Sequence, residues 1–107
     1  MSNFDEREKA FENKYARDQE LAFRITARRN RLLGEWAAGL MGLTSEETEA
    51  YAKAVVQADF EEAGDEDVIR KVLGDLVSAG VETDDQKVRA ALGDKAAEAR
   101  RQFMKED

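Results

Sequence analysis

At 107 residues the chain suffices for one domain, and a chain of this size buries roughly two-thirds of its unfolded surface, so a real core is possible. It has no Cys and no His, which excludes disulfides, thiol nucleophiles and metal or haem ligation by those side chains, and removes the one group that titrates near neutral pH without special tuning. With 38% charged and 42% hydrophobic residues and no Pro, the composition suits packed amphipathic helices and is too apolar for a fully disordered chain, while a net charge of -7 argues against nucleic acid as the main partner.

The charge is uneven. Residues 1–31 hold eight basic and six acidic side chains, net +2, and the remainder holds nine basic and eighteen acidic, net -9. An acidic body with a slightly basic arm fits a protein partner. The opening MSNFDEREKAFE lacks the basic cap and apolar run of a signal peptide, and no apolar run approaches the roughly 20 residues that span a bilayer. The expectation is a soluble, cytoplasmic protein with no direct membrane insertion.

The first helical pattern runs from about Asp5 to Met41. Phe4, Phe11, Tyr15, Ala22, Ile25, Leu32 and Trp36 follow one another at steps of three, four or seven and so share one helical stripe, with Glu8 and Asp18 interrupting it. Up to Glu20 the apolar residues are isolated among charge. From Leu21 the pattern thickens through Leu33, Trp36, Ala37 and Leu40 into something a core can use. Two segments are therefore expected: an N-terminal arm over 1–20, frayed or disordered when free, and a four-helix bundle over 21–107. Gly42 is the expected stop.

Thr44 with Glu47 reads as a capping box. It opens a second helix with Tyr51, Ala52, Val55, Val56, Ala58 and Ala63 on one face, Phe60 at its edge and Gly64 at its end. Asp65 is the expected side-chain N-cap of a third helix, built on the pairs Val68/Ile69, Val72/Leu73 and Leu76/Val77 and closed by Gly80 and Val81. Thr83 with Gln86 reads as a second capping box, before a helix carrying Val88, Leu92, Ala96, Ala99 and Phe103, with a frayed tail from Lys105. Connections of about two to four residues between four helices predict an all-α four-helix bundle.

Few motifs carry chemistry. The acidic run Glu61 to Asp67 misses the EF-hand register, since counting from Asp59 puts Ala63 where a ligand is required, and reads as helix-end chemistry. The phosphate-loop and dinucleotide glycine patterns are absent, and no cofactor or metal is expected. Arg24, Arg28, Arg29 and Arg31 form a basic stripe, read as a solvated face pairing with the acidic body, with phosphate binding as the other possibility. Trp36 reads as core. Phe4, Phe11 and Tyr15 are either the outer end of the core helix folded back, or anchors for a partner groove; the polar residues between them favour the second.

FDEREKAFENKYARDQELAFRITARRNRLLGEWAA, followed by YAKAVVQADFEEAGDEDVIRKV, resembles the zeta-type ATPase inhibitor subunit of alphaproteobacterial F-type ATP synthases, over nearly the whole chain. The resemblance implies a four-helix bundle with a mobile N-terminal inhibitory segment, not an enzyme. That segment becomes helical on entering a catalytic interface between the alpha and beta subunits, reaches toward the gamma shaft, and blocks hydrolysis more than synthesis. Carried onto this chain, it covers about Ser2 to Gln19. The expected partner-binding residues are Phe4, Asp5, Arg7, Glu8, Lys9, Phe11, Glu12, Lys14 and Tyr15, Lys9, Lys14 and Arg17 setting register against acidic surfaces. The protein would be a monomer when free, cytoplasmic, and peripheral to the inner membrane through the synthase. The alternatives are a helical adaptor that dimerises through Leu21–Leu40, or a nucleotide-sensing module using Arg24 to Arg31.

Overall fold

The computed structural model describes the backbone of residues 2–59 and 64–104 and the side chains of residues 17–59 and 64–104. It is an all-α four-helix bundle: α1 (Ser2–Met41), α2 (Ser45–Ala58), α3 (Glu66–Ser78) and α4 (Asp85–Met104), with no strand among the described residues.

Local chemistry at the helix ends accounts for most boundaries. At the end of α1 the Leu43 N–H donates to the Ala38 carbonyl at 3.1 Å and the Gly42 N–H to Gly39 at 3.2 Å, a pattern that requires the φ of +72° at Gly42. Thr44 then starts α2 with both halves of the expected box. Its hydroxyl accepts from the Glu47 N–H at 3.2 Å, and the Glu47 carboxylate accepts from the Thr44 N–H at 2.8 Å. The same glycine arrangement ends α3, where Val81 N–H reaches Leu76 and Gly80, at φ +82°, reaches Val77, both at 3.0 Å.

Three expected boundaries are corrected. α2 closes at Ala58 rather than at Gly64; Phe60 and Ala63 lie outside the described residues, as does the tail from Lys105. Asp65 lies in helical backbone and makes no side-chain cap, because its carboxylate is taken by Arg29. The α4 cap moves one residue on: the Asp84 carboxylate accepts from Lys87 N–H at 2.9 Å, and an ammonium at that third position cannot complete a box. The connection 79–84 is correspondingly longer than expected.

The core is formed by Leu33 and Ala37 of α1, Val55 of α2, Val68, Ile69, Val72 and Leu76 of α3, and Val88, Ala91 and Leu92 of α4, with Trp36, Met41, Tyr51, Leu73 and Val81 packed against it. Each Leu or Val fully removed from water stabilises the fold by about 1.5–3 kcal/mol. α1 touches all three other helices, most extensively α2 and α4. At one crossing the Gly34 backbone comes so near α2 that a Cβ there would sit 2.8 Å from the Ala52 Cα. The dense half of α1 begins later than expected. Leu21 and Leu40 are 40% and 48% exposed, and among the described residues the first buried side chain of the helix is Asn30. Val77, expected inside, also faces out, since its neighbour Leu76 takes the inward position.

Candidate partner-binding surface

α1 carries all nine sequence-derived contact residues on its first half. An uninterrupted helix rises about 1.5 Å per residue, so Phe4, Phe11 and Tyr15 occupy one stripe spanning about 16 Å of its axis. The side chains of Phe4, Asp5, Arg7, Glu8, Lys9, Phe11, Glu12, Lys14 and Tyr15 lie outside the described residues. Immediately after them, every side chain from Arg17 to Arg24 is exposed. None of these side chains enters the core, although Leu21 is only 40% exposed and Phe23 56%.

The arginine stripe divides by partner. Arg24 meets Glu20 of its own helix at 2.7 Å, both well exposed, a pair that contributes little. Arg29 is mostly buried; its Nη2 reaches Asp65 at 2.9 Å and its Nε donates to Asn30 Oδ1 at 3.0 Å, joining α1 to the start of α3. Arg31 bonds Glu49 of α2 and lies 3.5 Å from Glu35. That hydrogen bond raises the Arg31 guanidinium above its ordinary value and holds the Glu49 carboxyl below the usual carboxylate range. Two arginines thus pair with the acidic body as expected. Arg28 is exposed and has no ion-pair partner among the described residues.

Two concavities flank this stripe. One, of about 480 Å³, lies where α1, α3 and α4 meet, and both its arginines are already engaged: Arg29 by Asp65, and Arg89 by a two-pronged pair with Glu66 at 2.7 and 2.9 Å. The other, of about 300 Å³, is lined by Phe23, Arg24, Arg28 and Arg31 of α1, Val56 of α2 and Phe103 of α4. Phe23 is 56% exposed. Its place here was not legible in the sequence, because it lies off the heptad stripe and its groove partners are distant in the chain. Asn30 and Gly34 were missed for a related reason: a buried amide and a close-approach glycine show only once a neighbouring helix is in place.

The profile of the ATPase inhibitor subunit zeta family matches residues 1–102, the arm and the bundle together. The chain belongs to the ATPase inhibitor subunit zeta family. Three chains among solved structures match it, one a solution NMR structure with 48% sequence identity, a TM-score of 0.69, and coverage of 79% of this chain and 96% of that chain. No curated protein matches.

Membership in an inhibitor family implies an interaction with ATP synthase and points to action by binding, and the polar groups of the bundle are arranged for cohesion. The Tyr51 hydroxyl donates to Asp75 at 2.8 Å, Lys71 meets the same carboxylate at 3.1 Å, and its Nζ lies 5.3 Å from the Tyr51 ring centre. Burial, then the bond to Asp75, pushes the Tyr51 phenol well up, so it stays a neutral donor tying α2 to α3. Among the described residues no three His, Cys, Asp or Glu side chains are grouped to hold a metal ion, and no helix is long and apolar enough to cross a membrane.

Proposed function

We propose that this zeta-family chain is a non-enzymatic inhibitor of the F-type ATP synthase that blocks ATP hydrolysis by inserting the first half of α1 at a catalytic alpha/beta interface, near the gamma shaft. The observation that carries this reading is the family match running through residues 1–102, joined to the exposure of every α1 side chain from Arg17 to Arg24. The unit that acts is the arm over 1–20, and the unit that presents it is the bundle over 21–107.

The physics is that of a helix laid into a groove. In the free monomer the arm has too few apolar anchors to stay ordered, since helix nucleation is costly and its isolated ion pairs contribute only about 0.2–0.5 kcal/mol each. Residues 2–19 span about 27 Å when helical, enough to reach deep between subunits. Phe4, Phe11 and Tyr15 supply apolar anchors, the two Phe worth about 1.5–3 kcal/mol each when fully buried, and this burial offsets the ordering entropy. Arg7, Lys9, Lys14 and Arg17 set the register against carboxylates of the head, while Asp5, Glu8 and Glu12 disfavour wrong registers. Such a protein works in the cytoplasm, held at the inner membrane only through the synthase.

Deleting residues 2–19 tests this. The shortened chain is expected to keep its melting transition and lose inhibition of ATP hydrolysis by the purified enzyme. Full inhibition by the shortened chain would show that the arm is not the effector.

A further inference from the structure

We propose that the groove of Phe23, Arg24, Arg28, Val56 and Phe103 is a second contact with the catalytic head, taking an acidic segment with an apolar side chain at the rim of the cleft that the arm enters. This rests on the arm-insertion reading.

Three observations lead there. The first is continuity. α1 runs without a break from Ser2 to Met41 and the chain has no Pro. Phe23 is four residues beyond Gln19, so it lies one turn, or about 6 Å, farther along the axis. If residues 2–19 are seated in a cleft, a stiff helix holds this groove at its mouth. The second is chemistry. The lining combines apolar Phe23, Ala27, Val56 and Phe103 with Arg24, Arg28 and Arg31. Between residues 17 and 31 the chain has five Arg against one Asp and one Glu, the reverse of its overall charge of -7. The third is availability. Arg28 has no partner within the described chain, and Arg24 has only an exposed pair with Glu20, easily exchanged for a better carboxylate. Arg31, bonded to Glu49, instead fixes the wall between α1 and α2.

A partner side chain entering the groove would cover Phe23 while its neighbouring carboxylates met Arg28 and Arg24. Such a contact steers the approach and slows departure without itself stopping rotation. It differs in effect from the arm: loss of the groove changes how tightly the inhibitor holds, and loss of the arm changes whether a bound inhibitor inhibits.

The test uses the full-length chain and the purified catalytic head, comparing R28E and F23S with the parent for binding, for inhibition at saturation and for melting temperature. R28E is expected to raise the Kd about tenfold and to flatten its dependence on salt, a size typical of a charge contact that is partly desolvated. Inhibition at saturation and melting should stay as in the parent, because the arm is intact and Arg28 is exposed with no ion-pair partner among the described residues. Because the chain has no Cys, R28C carries a single photo-crosslinker, expected to capture an acidic peptide of the head. Parent-like Kd values for R28E and F23S at low and high salt overturn the groove proposal and leave the arm reading untouched. Capture of a second copy of this chain, or of lipid from added anionic vesicles, in place of a head peptide also overturns it. Full inhibition by the chain lacking residues 2–19 would instead sink the arm reading, and a tenfold loss in R28E would then still identify the groove as a contact.

Discussion

At the residue scale the most constrained position is Gly34. A side chain there meets the Ala52 Cα at 2.8 Å and the Val55 Cγ2 at 3.2 Å, and a helix backbone cannot yield as a flexible side chain would. In a free helix G34A gains about 0.5–1 kcal/mol from propensity. Forcing two packed helices apart costs about 1–3 kcal/mol, so the net expectation is a loss of about 1–2 kcal/mol in denaturant unfolding, opposite in sign to the usual Gly→Ala effect in a helix. Asn30 beside it is the only buried polar or charged side chain among the described residues. Its Oδ1 accepts from Arg29, and among the described residues no fully buried side-chain polar atom lacks a partner. The pair holds Arg29 against Asp65 and away from the groove that Arg28 faces.

At the element scale, helix ends are where sequence and structure agree best, because caps need only neighbours in the chain. The Thr44–Glu47 box and the glycines at 42 and 80 were all readable beforehand. T44A removes the acceptor for Glu47 N–H and should cost about 1 kcal/mol, read as a fall in melting temperature of about 4–8 °C. The failures at Asp65 and Thr83 follow the same logic in reverse. Asp65 reads as a cap until Arg29, thirty-six residues away, claims its carboxylate, and in TDDQ three successive residues are competent caps, so one turn of sequence does not choose among them.

At the scale of the whole molecule, ion pairs connect the helices: Arg31 with Glu49 joins α1 to α2, Arg29 with Asp65 joins α1 to α3, and Arg89 with Glu66 joins α4 to α3. All are at or near the surface, so they orient more than they stabilise. They do set the response to pH. The hydrogen bond from Arg89 holds Glu66 below the usual carboxylate range, that from Arg31 does the same for Glu49, and the backbone and hydroxyl of Thr44 do so for Glu47. A carboxylate lowered in the folded state stabilises it above the ordinary value of 4.5, and that contribution is lost as pH falls through the lower folded value. With no His in the chain, no side chain of ordinary value titrates between pH 6 and 8. Melting temperature should therefore be flat across pH 6–8 and decline once pH drops below about 4.5. A transition centred near pH 6.5 would contradict this.

The sequence by itself determined the four helices, the glycine stops at 42 and 80 and most of the core, because periodicity and capping act over a few residues and repeat along the chain. It also held the family, since whole motifs survive in linear order. Tertiary structure alone decided which arginine meets which acid, why a side chain at position 34 would meet α2, and that among the described residues Asn30 is the first fully buried side chain of α1. It also decided that Phe23, Val56 and Phe103 share one groove. Each of these depends on where separate helices come to lie against one another, and that distance is set by packing in three dimensions.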